Sequence, residues 1–181
     1  MKRLLLAPLF FLLVSCSTNN VNESKASTGL SSSFSEKIDD FDNSTTWNLR
    51  LWSKNKMPGD LVKEGQALLS ISCTKYAEPK NYSTGSYIFS LIPPSSLKTS
   101  YVANYADLKW GENQSESKEF SSDFSGGFAN FYYAGDLIRK LDKHSKLQIR
   151  YLTQTKGQQI AEFELIGEKD IATLISKCDS F

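Results

Sequence analysis

The last third of the chain carries the clearest pattern. Leu147, Ile149 and Tyr151 alternate with Gln148 and Arg150, and Ala161, Phe163 and Leu165 alternate with Glu162 and Glu164. Period-2 alternation marks half-buried strands, and Thr155-Lys156-Gly157 between the two runs predicts a hairpin. Beyond Gly167, the residues Ile171, Leu174, Ile175 and Cys178 recur at i, i+3, i+4 and i+7. That spacing predicts a short helix whose apolar stripe carries Cys178 toward the core.

The same reading runs upstream. Trp47, Leu49 and Leu51 alternate with polar residues up to Met57-Pro58-Gly59-Asp60, which predicts a first strand and a turn. Ala67, Leu69, Ile71 and Cys73 share one face of a second strand, with Cys73 pointing inward. Tyr87–Ile92 is apolar on both faces, as a central strand would be, and Pro93-Pro94 must end it because proline cannot donate to a ladder. Tyr101–Trp110 holds a strand pair or one bent strand, and the run from Phe120 to Tyr133 holds two strands around Gly126-Gly127. Tyr133, Leu137 and Leu141, with Ile138 beside them, predict a short amphipathic helix before the final hairpin. The expected fold is mostly β, an antiparallel β-sandwich or partly closed barrel with two short helices.

Residues 17–36 break this pattern. They contain twelve Ser, Thr or Asn and few apolar residues, too little hydrophobic surface to offset the entropy of ordering. They read as part of a flexible tether over 16–40, spanning on the order of 25 Å, with one globular domain over 41–181. Ahead of it, Lys2 and Arg3 precede an apolar run from Leu4 to Val14, too short for an ordinary membrane helix, and then Ser15. This is an export signal over 1–15. Leu13-Val14-Ser15-Cys16 resembles the bacterial lipobox, which implies acylation of Cys16 and attachment to a membrane through it. Ser17 rather than Asp at the second mature position implies, by the same resemblance, the outer membrane, with the domain facing the periplasm. If Cys16 is lipidated, Cys73 and Cys178 are the two thiols left in an oxidising compartment, and the expectation is a disulfide between them.

Charge and motifs narrow the function by exclusion. Removing Lys2 and Arg3 leaves 19 basic residues against 20 acidic ones, dispersed along the chain, which argues against nucleic acid as a partner. The single histidine, His144, reads as a solvated loop residue, and with no C-x-x-C or H-E-x-x-H no metal site is expected. No G-x-S-x-G elbow or phosphate loop occurs, so neither a catalytic residue nor a cofactor is expected. Asp107, Glu112 and Asp123 flank the aromatic strands and could line a groove, although strand-end acids are ordinarily just solvated. Most of the aromatic cluster must be core. Trp110, Glu112, Tyr132 and Tyr133 are the residues expected at a partner surface, since aromatics are favoured at interface centres.

The order of features from Trp47 to Cys178 resembles two groups of small exported bacterial proteins. These are the type VI secretion accessory protein VasI family and, more distantly, the invasion-associated locus B proteins. The resemblance rests on the early tryptophan strand, the strand Leu69–Cys73, the helix Leu137–Leu141, and the closing Phe163-x-Leu165-x-Gly167, helix and Cys178. It departs at Val102-Ala103-Asn104, where an arginine is expected, and at Phe120, near where a tryptophan is expected. The resemblance implies an exported β-sandwich with a secretion or envelope role. The reading is therefore a non-enzymatic envelope lipoprotein that binds a protein partner as an accessory component. Two alternatives stay open. One is an inhibitor or immunity lipoprotein using loops 78–85 and 111–118 as plugs, and the other is a peptidoglycan-acting enzyme using Asp107, Glu112 or Asp123.

Overall fold

The computed structural model describes residues 32–60, 63–80, 83–100, 103–123, 125–165 and 169–179, without the side chains of 79, 80, 83 and 84. Cys16, the segment 1–15 expected to be an export signal and the expected tether up to residue 31 lie outside the described residues, as do Val102, Phe124 and Gly167. Eleven strands and two helices follow in chain order. They are β1 (Ser32–Ile38), β2 (Thr45–Trp52), β3 (Met57–Pro58), β4 (Glu64–Gly65), β5 (Leu68–Lys80), β6 (Ser83–Ile92), β7 (Asn104–Trp110), β8 (Glu116–Ser121), β9 (Ala129–Phe131), α1 (Ala134–Ile138), β10 (Lys146–Thr153), β11 (Gly157–Glu164) and α2 (Lys169–Cys178). Nine strands form one sheet in the order β1-β2-β5-β6-β9-β8-β7-β10-β11, and all its pairs are antiparallel.

The alternating residues explain the curl of this sheet. Leu49, Leu51, Leu69, Ile71, Phe89, Leu91, Leu108, Leu147, Ile149 and Phe163 all lie on one face and are buried in a single cluster. A nine-stranded sheet with one apolar face hides that face by wrapping around it. Its first and last parts then meet. Just past β2, the Lys54 N–H donates to the Glu162 carbonyl of β11 at 2.7 Å. The Asn55 side chain continues the seam, donating through Nδ2 to the Ile160 carbonyl at 2.8 Å and accepting from the Glu162 N–H through Oδ1 at 2.9 Å. One side-chain amide thus makes the two bonds that a residue of a neighbouring parallel strand would make. Ser53, fully buried, anchors this clasp: its Oγ donates to the Asn55 carbonyl and accepts from the Ala67 N–H. The mostly antiparallel β architecture expected is present as one nine-stranded sheet that is not a closed barrel, its two ends joined by this clasp instead of a continuous strand pair.

An exposed strand edge is a template for adding another strand. Replacing Asn55 with Ala removes the two side-chain bonds of the seam, leaving only the Lys54 backbone bond, and uncovers the β11 edge around Ile160. The expected results are a loss of about 1–3 kcal/mol in urea unfolding and concentration-dependent self-association by light scattering. A variant that stays monomeric with unchanged stability would show the clasp to be incidental.

The domain begins earlier than its composition indicates. Ser32–Ile38, read as the end of the tether, is paired along its whole length with β2, from Ser32 opposite Leu51 to Ile38 opposite Thr45. Phe34 packs on the core. Seven residues with one apolar anchor cannot hold a strand alone, but the edge of β2 offers a ready ladder. Another correction concerns β6. It lies inside the sheet as expected, yet Ile88 and Ile92 on its outer face remain 48% and 40% exposed. Of the two alternatives for the next segment, the described residues 103–110 carry a single strand, β7.

At the carboxyl end, Cys178 of α2 is bonded to Cys73 of β5, with the Cα atoms 5.7 Å apart. Ile171, Leu174 and Cys178 are buried, as the helical spacing predicts, and Ile175 packs at the margin of the core. The Tyr87 hydroxyl donates to the Cys178 carbonyl, tying β6 to the helix end.

Candidate functional site

The residues expected at a partner surface divide between core and solvent. Trp110 is the last residue of β7 and is only 3% exposed, which corrects its assignment to a surface. Its ring packs near Phe89 and His144, at centroid distances of 6.5 and 5.6 Å. Its indole N–H donates to Glu116 Oε1 at 2.8 Å, the partner a buried indole requires. The reason is parity. Ala106, Leu108 and Trp110 occupy one face of β7, so Trp110 follows them inward. His144 is accordingly half-buried against that ring and not simply solvated.

Glu116 organises this end of the sheet. It also accepts from Lys140 at 2.6 Å and pairs with Lys118 at 3.1 Å, while Lys140 lies 5.7 Å from the Trp110 ring centroid. Burial pushes the Glu116 carboxyl up. The hydrogen bonds from Lys140, Lys118 and Trp110 outweigh that and hold it below the usual carboxylate range. A depressed carboxyl contributes stability that is present above its unfolded pKa and lost as pH falls through the folded one.

Glu112 sits in the β7–β8 turn, 83% exposed at its side chain and paired with Lys146 at 2.8 Å. The hydrogen bond and charge of Lys146 hold its carboxyl low. Asp123 lies past the far end of β8, where it accepts from Ser125 Oγ and the Gly127 N–H, and those bonds lower it. Six residues of β8 separate these two acids, about 20 Å at 3.3 Å per residue. A glycosidase pair stands about 5–10 Å apart. Asp107 is outward on β7 and engaged by Arg150 Nε and Nη2 at 3.0 and 2.6 Å. The fold therefore does not bring Glu112 and Asp123 together as an acid and base. Among the described residues no group of three or more His, Cys, Asp or Glu could hold a metal.

Tyr132 and Tyr133 do reach solvent, at 47% and 81% exposure. Tyr132 follows β9 with the parity opposite to buried Phe131, and Tyr133 turns through a left-handed backbone (φ 59°) to start α1. Tyr105 on β7, which sequence reasoning took for core, joins them at 59% exposure. Its alternation with Ala106 is the signal that could have found it. Tyr105 stands opposite Glu119 of β8, and the Tyr132 N–H donates to the Glu119 carbonyl at 3.2 Å. Tyr105 and Tyr132 thus lie on the outer face of β7, β8 and the end of β9, away from the filled interior, with exposed Tyr133 next in the chain at the start of α1. Large aromatic rings held out on a rigid sheet are the anchor type enriched at protein interfaces.

No family model matches the chain, and no curated protein sequence matches it. Among solved structures, the chain is similar to that described as the crystal structure of invasion associated protein B from Bartonella henselae. The TM-score is 0.51 at 12% identity, covering 86% of this chain and 96% of that one. At that identity the likeness is one of fold. It agrees with the sheet architecture expected from the resemblance to invasion-associated locus B proteins.

Proposed function

We propose that this chain is a non-enzymatic lipoprotein of the bacterial envelope, tethered through Cys16 to the outer membrane, whose domain binds another protein as an accessory component of a secretion or envelope assembly. The observation that carries the reading is the tyrosine surface, with Tyr105 and Tyr132 exposed on a sheet whose other face is fully packed and Tyr133 exposed next in the chain. The lipobox-like Leu13–Cys16 and the fold likeness to an invasion-associated protein support the envelope setting.

Two measurements test it. Cys16→Ser should release the protein from membranes on fractionation without changing its thermal unfolding, because the acyl chains attach upstream of the domain. A variant that still sediments with the outer membrane at wild-type level would sink the anchoring. Crosslinked envelopes should yield a reproducible partner whose recovery falls strongly in Tyr132→Ala/Tyr133→Ala. Recovery of no partner, or equal recovery by that variant, would remove the binding role.

A further inference from the structure

We infer that the row Tyr105, Glu119, Tyr132 seats a cationic side chain, arginine or lysine, of the partner protein, an inference that rests on the protein-binding reading. Opposite residues of an antiparallel pair point to the same face, so Tyr105 and Glu119 stand side by side. Tyr132 flanks Glu119 on the other side, since Phe120 and Phe131 pair on the inner face and the next positions must turn outward. Each tyrosine backbone lies one strand spacing from Glu119, about 4.8 Å. Ser117 and Ser121 lie on the same face of β8, two residues either side of Glu119.

Charge decides what can sit there. Asp107, Glu112, Glu116, Asp136 and Glu164 each hold a lysine or arginine. Glu119 is exposed and has no ion pair among the described residues. An apolar partner side chain laid over this row would desolvate the carboxylate and leave it unpaired, and an acidic one would be repelled. A cation gains from the carboxylate and from the negative faces of both rings at once. The flat guanidinium of arginine suits both contacts, stacking on a ring while its edge meets the carboxylate.

The test separates this seat from the wider reading. N-acetyl-arginine amide is titrated into full-length Cys16→Ser protein carrying labelled tyrosine rings, observed by NMR. Saturable shifts of Tyr105 and Tyr132 in the millimolar range are expected, abolished in Glu119→Gln, with none produced by N-acetyl-glutamate amide. Absent shifts, or equal shifts in Glu119→Gln, would overturn the inference. In crosslinked envelopes, Glu119→Arg should lower recovery of the partner about tenfold or more while thermal unfolding stays as in the wild type. Unchanged recovery would overturn the seat while leaving the binding role intact. If the wild type captures nothing, the binding role fails and the titration alone decides whether the row takes a cation.

Discussion

Replacing Cys73 or Cys178 with alanine is expected to cost about 4 kcal/mol of unfolding free energy, the largest single effect in this molecule. The bridge closes a separation of 105 residues, for which the chain-entropy model gives on the order of 4–5 kcal/mol. Folded domains hold only about 5–15 kcal/mol in all. Both cysteines are buried, at 0% and 1% exposure, and the bridge joins β5 to a helix of only ten residues. Isolated helices that short do not hold in water, so without the bridge α2 depends on the packing of Ile171, Leu174 and Ile175 and on the Tyr87 hydrogen bond. Each single mutant should therefore be strongly destabilised in urea, and the double mutant little worse than either, because one bridge is lost in all three. Additive losses, or a loss below about 1 kcal/mol, would show that the bridge does not constrain the chain.

Gly126→Ala is expected to cost about 3 kcal/mol, against about 1 kcal/mol for Gly157→Ala. Both glycines have φ of +69°, a left-handed backbone that an L side chain enters with strain. Their surroundings differ. A Cβ at Gly126 would stand 2.4 Å from the Leu97 carbonyl oxygen and 2.8 Å from its nitrogen, whereas at Gly157 it would meet nothing within 4 Å. The neighbour at Gly126 is backbone and cannot rotate away. It is also pinned, since the Leu97 N–H donates to the Gly126 carbonyl at 2.8 Å and Leu97 bridges to Thr153 of β10. Pushing the two segments apart would loosen buried Leu97 and the end of β10 together. Thermal unfolding of the pair checks this, with roughly 2–4 °C lost per kcal/mol in a domain of this size. Equal shifts in the two variants would show that strain, and not the close approach, governs Gly126.

Where an element carries its own periodic signal, its place could be read directly. Leu147, Ile149 and Tyr151 needed only alternation to be assigned to the inner face of β10, and Cys73 and Cys178 needed only parity and helical spacing to be aimed inward. Trp110 obeys the same rule: its parity with Ala106 and Leu108 directs it to the core, against the surface expected from the preference of aromatics for interface centres. β1 had too weak a signal to be read, because its ordering comes from β2 and not from its own composition.

By itself, the sequence determined which residues alternate, where the chain turns, and that Cys73 and Cys178 face inward, because those depend on neighbours within a few positions. Only the tertiary structure decided what meets across strands. Asn55 closes the seam on β11 from 105 and 107 residues away, Gly126 lies against Leu97, and Tyr105 and Tyr132 flank Glu119. Such contacts follow from strand order and register, which a nine-stranded sheet settles through many pairings at once. Local periodicity carries no record of which strand lies beside which.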